Sequence, residues 1–218
     1  MRTGTTTPAR TRFAALALAL AAPVLLTACG GDDDTAADIP ESAEFNAADV
    51  DFATGMIPHH AQALVMVDMA DGRDISPETA DLMERIEAAQ GPEIEQMTGW
   101  LEEWDQPVPD LGDMSGMGSD DMSDMDHGDM DHGDMDGMAE DGMTGMMSAE
   151  DMAELDAAEG SAFERMWLSM MIEHHEGAVE MSEVELEEGE YADALALAES
   201  IIESQEAEIA EMEALLEG

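Results

Sequence analysis

Apolar residues recur at helical spacing in two stretches that each carry a histidine pair. At 100° per residue, Phe52, Met56, His59, His60, Ala63, Val67 and Ala70 share one arc of about 100°, with Met66 at its edge. Trp167, Met171, His174, His175, Ala178 and Met181 cover the equivalent arc further along. Both patterns predict amphipathic helices whose histidines straddle the midline of the apolar stripe and flank the interior. Asn46 or Asp49 caps the first helix, which continues to about Met69 and stops at Asp71-Gly72. Ser76-Pro77 opens a second, running to Trp104, in which Pro92 predicts a kink or local break. Pro107 and Pro109 then end regular structure. Ser148-Ala149-Glu150-Asp151 reads as a capping box for a third helical stretch reaching about Glu188, bent near Gly160. Gly189 breaks it, and a fourth helix spans Glu190 to Leu216.

The two halves are copies. At a constant offset of 115, Met56, Ile57, His59, His60, Ala63 and Met66 meet Met171, Ile172, His174, His175, Ala178 and Met181. The second helices match without a gap: Ile86, Gln90, Glu93, Ile94, Met97 and Leu101 meet Ile201, Gln205, Glu208, Ile209, Met212 and Leu216. A duplicated helical hairpin with amphipathic faces predicts an all-α four-helix bundle. The hairpins fall at 47–105 and 148–218, with a connection at 106–147 between them.

That connection changes the picture. Asp110 to Met147 is a low-complexity insertion of Met, Asp, Gly, Ser and His, long for a bundle loop. It lacks the apolar surface to fold alone and is expected to be disordered without a ligand. Residues 29–46 look like an acidic, flexible tether. Residues 1–28 carry Arg2, Arg10 and Arg12 before a short apolar run from Phe13 to Leu26, the layout of a signal peptide. Leu26-Thr27-Ala28-Cys29 resembles a bacterial lipobox, in which Cys29 would be lipidated and hold the protein on the extracytoplasmic face of the cell membrane. An ordinary secretory signal beside an incidental cysteine explains the same residues. With a single cysteine the chain forms no internal disulfide.

Charge narrows the partners. Lysine is absent, and six arginines face 54 acidic residues, a net charge of −48 that becomes −51 once the three arginines of 1–28 are removed. Nucleic acid and anionic headgroups would be repelled, whereas cations are attracted. An acidic, lysine-free surface also suits a high-salt habitat, and composition alone does not separate the two.

A single histidine on an apolar helix face is more often a hydrogen-bonded core residue than a ligand, and a methionine stripe is usually core filling. Here the His-His pair with methionine at −3 and +6 occurs twice, beside an insertion holding ten of the 22 methionines. Imidazole with thioether favours copper, Cu(I) preferring Met and Cu(II) preferring His and carboxylate. The candidate ligands are Met56, His59, His60, Met66, Met97, Met171, His174, His175, Met181 and Met212. In the insertion, Met122, Met125, His127, Met130, His132 and Met135 are candidates for a copper-collecting arm. Gln90, Glu93, Gln205 and Glu208 share faces with Met97 and Met212, and once buried they need imidazoles or a metal as partners.

The stretches "DVDFATGMIPHHAQALVMVDMA", "QGPEIEQMTGWLEEW", "FERMWLSMMIEHHEGAVEMSEVELEEG" and "SQEAEIAEMEALLEG" closely resemble the bacterial family called domain of unknown function 305. The resemblance covers roughly 46–104 and 148–217. It implies an exported, ferritin-like four-helix bundle, with members implicated in binding copper. Gly55 and Pro58 stand where the second half has Met170 and Glu173, so the half-sites need not be equal. The expected function is copper binding and sequestration by a non-enzymatic lipoprotein; a copper exporter or oxidase would be a natural partner, though no residue identifies one. A di-metal oxidase is the alternative, but that class uses Glu-x-x-His motifs, and none occurs in this sequence. A non-catalytic acidic surface module of a salt-adapted bacterium is a further alternative. If Cys29 carries the anchor, Cys29→Ala moves the protein from the membrane fraction to the soluble one. Tight membrane association of that variant contradicts the lipobox.

Overall fold

Asn46 starts regular structure. Its side chain accepts from the backbone N–H of Ala48 (2.7 Å) and Asp49 (3.2 Å), while Asp49 accepts the Asn46 N–H at 2.6 Å. This closed capping box opens α1, Ala47–Asp68. Ser76 caps α2, Pro77–Glu103, with Pro77 as its first residue. Ser148 and Asp151 form the capping box of α3, Ala149–Ala157. Two further helices follow, α4 (Ser161–Glu188) and α5 (Ala192–Glu217). This computed structural model describes residues 39–40, 42–112 and 144–218. All of them belong to the unit Asp34–Gly218, and no strand occurs among them. Residues 1–38, with Cys29, and 113–143, with Met122, Met125, His127, Met130, His132 and Met135, lie outside the described residues.

Two expectations are sharpened. Of the kink or local break expected at Pro92, the break does not occur: helix α2 runs through it. A proline removes one N–H, but Ile86, Gln90, Met97 and Leu101 are buried on either side and carry the helix across it. The third helical stretch is two helices rather than one bent helix. Gly160 sits at φ +54°, in the left-handed region, and separates α3 from α4. Arg73 braces this corner. It donates to the carbonyls of Met69 (2.5 Å), Ala158 (2.6 Å) and Asp156 (2.9 Å), and its guanidinium stacks 4.3 Å over the Phe163 ring.

Helix α1 packs on α2 and α4, α4 packs on α5, and α2 meets α5, closing the ring of an all-α, ferritin-like four-helix bundle. The duplication extends to how the halves join. Asp49 of the first hairpin accepts from the N–H groups of Tyr191 (2.9 Å) and Glu190 (3.1 Å), at the start of α5. Glu164 of the second hairpin, at the position equivalent to Asp49, accepts from the Thr79 hydroxyl (2.6 Å), the Ser76 N–H (3.3 Å) and the Ser76 hydroxyl, at the start of α2. Each hairpin thus satisfies orphan donors at a helix start of the other.

The interior is two apolar clusters. One holds Phe52, Met56, Ile57, Met97, Trp100, Leu101, Ala178 and Ile201 among others. The second holds Ala63, Met66, Leu82, Ile86, Phe163, Trp167, Met171 and Met212 among others. Along every one of the four long helices, two polar residues turn inward between the clusters. They are His59 and His60 on α1, Gln90 and Glu93 on α2, His174 and His175 on α4, and Gln205 and Glu208 on α5. A polar layer therefore crosses the bundle between two apolar blocks.

Glu185 lies outside this layer and is almost wholly buried, facing Asp49. Burial first, then the neighbouring Asp49 carboxylate, pushes the Glu185 carboxyl up to about 8. Between the ordinary value of 4.5 and about 8 the native chain holds a proton that the unfolded chain has released. Stability from this group is therefore full below about 4.5 and lost as pH rises through 8. Glu185→Gln keeps the neutral shape and should gain stability relative to wild type across that window, as read by urea unfolding at several pH values. Parallel pH curves would show Glu185 is not protonated in the native state.

Candidate metal centre

His59, His60, His174 and His175 are all fully buried. The midline geometry of the helix stripe already placed each pair beside the interior; packing of α1 against α4 encloses all four rings. His59 and His174, equivalent positions of the two halves, meet with ring centroids 3.8 Å apart and planes tilted by 41°. His60 and His175 each turn to the second helix of their own hairpin. His60 Nε2–H donates to Glu93 at 2.7 Å and His175 Nε2–H to Glu208 at 2.8 Å. The duplication is thus conserved down to the hydrogen bond, with 33 residues between partners in each half.

His59 Nε2 lies 3.2 Å from the Thr144 carbonyl. A carbonyl oxygen only accepts, so Nε2 bears the proton. Three rings therefore spend Nε2–H on an outer acceptor, and their buried Nδ1 atoms have no hydrogen-bond partner. His174 has neither ring nitrogen partnered, and the side-chain amide of Gln90 and the Oε1 of Gln205 are likewise unpaired. Burial, then the neighbouring His60, pushes His59 down to about 3. Burial, then the adjacent rings of His59, His175 and His60, holds His174 well below the ordinary range. Both rings are neutral at pH 7, with lone pairs in a dry layer where a missing partner is costly.

The methionines divide. Met56 and Met97 lie in one apolar cluster, with Met181 packed against it. Met66, Met171 and Met212 lie in the other. Met56 and Met171 sit one turn before His59 and His174; Met97 and Met212 sit one turn after Glu93 and Glu208. The thioethers therefore flank the polar layer on both sides instead of converging on one point. Among the described residues no three His, Cys, Asp or Glu side chains already form a metal-ligand group.

Three neighbours of the layer escaped the sequence pattern: the Thr144 carbonyl on His59, and Gln62 and Gly177, which contact the segment Thr144–Met147. Thr144 acts through its backbone, which leaves no mark in a motif. Gln62 and Gly177 occupy equivalent positions of the repeat yet differ, and that mismatch was the one available signal.

Residues 49–216 match the family described as Domain of unknown function (DUF305). The chain belongs to this family. A DUF305 protein from Streptomyces coelicolor is 31% identical with a TM-score of 0.61, the match covering 78% of this chain and 91% of that one. A DUF305 fragment from Deinococcus radiodurans is 27% identical with a TM-score of 0.60, covering 78% and 96%. CopM in its Cu(II)-bound form is 29% identical with a TM-score of 0.57, covering 78% and 95%. CopM has also been solved in Cu(I)-bound and silver-bound forms. No curated protein matches this chain in sequence.

The buried rings set an acid limit. His59 and His174 stay neutral in the native state, while the unfolded chain protonates them below about 6.5. Their contribution is therefore present above 6.5 and lost as pH falls. The double variant His59→Gln, His174→Gln should lose stability less steeply than wild type between about 6.5 and 4, measured by denaturant unfolding. An unchanged slope would mean the rings protonate in place.

Proposed function

We propose that this protein binds and sequesters copper at its buried histidine layer, as a non-enzymatic binding protein held on the outer face of the cell membrane. The observation that carries the reading is the set of four fully buried imidazoles, each with at least one unpartnered ring nitrogen. A metal ion would give these orphaned atoms the partner the protein withholds. The donor chemistry fits. Neutral imidazole nitrogens and nearby thioethers suit Cu(I) and Cu(II) better than hard cations. Since among the described residues no three His, Cys, Asp or Glu side chains already converge, a thioether or a small ring movement would complete the shell.

In this reading His59, His60, His174 and His175 are the primary ligands. Met56, Met66, Met97, Met171, Met181 and Met212 offer soft donors from either side. Met122, Met125, His127, Met130, His132 and Met135 would collect ions and pass them inward, with Cys29 as the lipid anchor. Glu93 and Glu208 act on the histidines rather than on the ion, in the manner of carboxylates that orient metal-ligating rings. The similarity to CopM, solved with both copper oxidation states, supports the choice of metal. Binding rather than oxidation fits a layer whose two carboxylates are each engaged by a histidine.

The test uses a chain in which residues 113–143 are replaced by a Gly/Ser segment of equal length, so that the arm cannot mask the centre. Copper at ~100 times its Kd should stabilise this chain by about 2.7 kcal/mol, raising its melting temperature. With all four histidines changed to Ala, copper should leave the melting temperature unchanged, after a loss of one to several kcal/mol from the cavities. Should that variant fail to fold, His174→Ala alone should show reduced copper stabilisation. Equal copper-induced shifts with and without the histidines would refute the assignment and turn attention to the methionines.

A further inference from the structure

Thr144–Met147 belong, by composition, to the insertion expected to be disordered through Met147. The structure instead lays them on the α1–α4 interface, over the histidine layer. Two equivalent positions of the repeat grip this segment from opposite sides. On α1, Gln62 donates from Nε2 to the Met147 carbonyl (2.8 Å) and accepts the Met147 N–H on Oε1 (2.7 Å). On α4, Gly177 makes room: a Cβ there would lie 2.0 Å from the Thr144 carbonyl oxygen. Gly145 sits at φ +84°, and a Cβ on it would lie 2.7 Å from the Glu173 carbonyl oxygen, so backbone packs directly on backbone. The Met147 side chain packs against the second apolar cluster. The duplicated position has diverged, one copy to hold the segment and the other to let it in.

The held segment ends on His59. Its Thr144 carbonyl takes the Nε2–H of that ring, the role Glu93 and Glu208 play for His60 and His175. His174, the counterpart of His59, receives nothing from this segment; the carbonyl near its ring is that of His59 itself, and neither ring nitrogen reaches hydrogen-bond geometry. We propose that Thr144–Met147 is a strap that fixes the His59 tautomer and orientation, with Gln62 and Gly177 as its positioning residues, so that Nδ1 is presented for metal binding. The metal-binding clause rests on the function proposed above; the tautomer clause stands without it. The strap also makes the end of the methionine-rich insertion part of the centre, tying the two candidate copper-binding regions together through one carbonyl.

The test compares the full-length chain with Gln62→Ala and Gly177→Ala, and with Gly99→Ala as control. Gly99 is also a helical glycine, but nothing lies within 4 Å of a Cβ there. A Gly→Ala change inside a helix ordinarily stabilises it, so damage at Gly177 alone reports the strap. In metal-free protein, imidazole 15N chemical shifts should show His59 as a single Nε2–H tautomer in wild type and Gly99→Ala, and as a tautomer mixture in Gln62→Ala and Gly177→Ala. Cu(I) affinity, by competition with a chelator, should fall roughly 10–100-fold in the two strap variants, the usual effect of losing a partner behind a metal ligand. A single unchanged His59 tautomer in folded Gln62→Ala overturns the proposal, as does a mixed tautomer with unaltered Cu(I) affinity. If Gly177→Ala does not fold, Gln62→Ala, which removes atoms and adds no clash, decides alone. Should wild type itself take up no Cu(I) at the histidines, the function proposed above fails, and the 15N shifts still decide whether the strap sets the ring.

Discussion

Four imidazoles held out of water are the constraint around which this bundle is built. An apolar core would be more stable at that level, since each unpartnered buried nitrogen costs roughly 1–3 kcal/mol. The chain meets part of that cost with two carboxylates and one backbone carbonyl, which take three Nε2–H groups. It leaves the rest unmet. The apolar blocks above and below the layer, with Phe163, Trp167, Met56, Ile57 and Leu101 buried within them, supply the stability that tolerates it. Such an arrangement wastes free energy unless a ligand completes it, and a soft metal ion is the ligand whose chemistry matches neutral imidazole beside thioether.

Duplication solves two problems with one hairpin. Copying it doubles the histidine pairs, and the copies face each other so that His59 meets His174. It also supplies reciprocal anchors, because Asp49 and Glu164 each accept donors at a helix start of the other hairpin. Strict symmetry would leave His59 and His174 in the same state. The Thr144 carbonyl breaks it: its segment holds His59 and does not reach His174.

The titrations follow from the same burial. His59 and His174 stay neutral because a charged ring would sit in a dry layer next to other rings. Glu185 stays protonated because it is buried against Asp49. The two effects oppose one another between about 4.5 and 6.5, so the native state resists neither acid nor base uniformly.

Much of this was legible in the residues. Period 3.6 hydrophobicity, Asn46, Ser76 and Ser148 as caps, and the constant offset between halves determine four long helices and their pairing, because these signals are local or repeat along the chain. Burial of Glu93 and Glu208 already called for imidazole or metal partners; which histidine each would meet was decided by packing. Tertiary structure decided the rest. That α2 passes through Pro92 depends on buried neighbours packed from other helices, and the split at Gly160 on a corner braced by Arg73. Which ring nitrogen is free depends on acceptors brought from elsewhere in the chain, one of them a backbone carbonyl 85 residues away from His59. Composition marked Thr144–Met147 as unstructured because the low-complexity insertion lacks the apolar surface to fold alone; contacts with His59, Gln62, Glu173, Gly177 and the second apolar cluster hold its end in place. Local sequence sets which helices form, whereas the state of each buried nitrogen is set by whatever the packed chain leaves within reach of it.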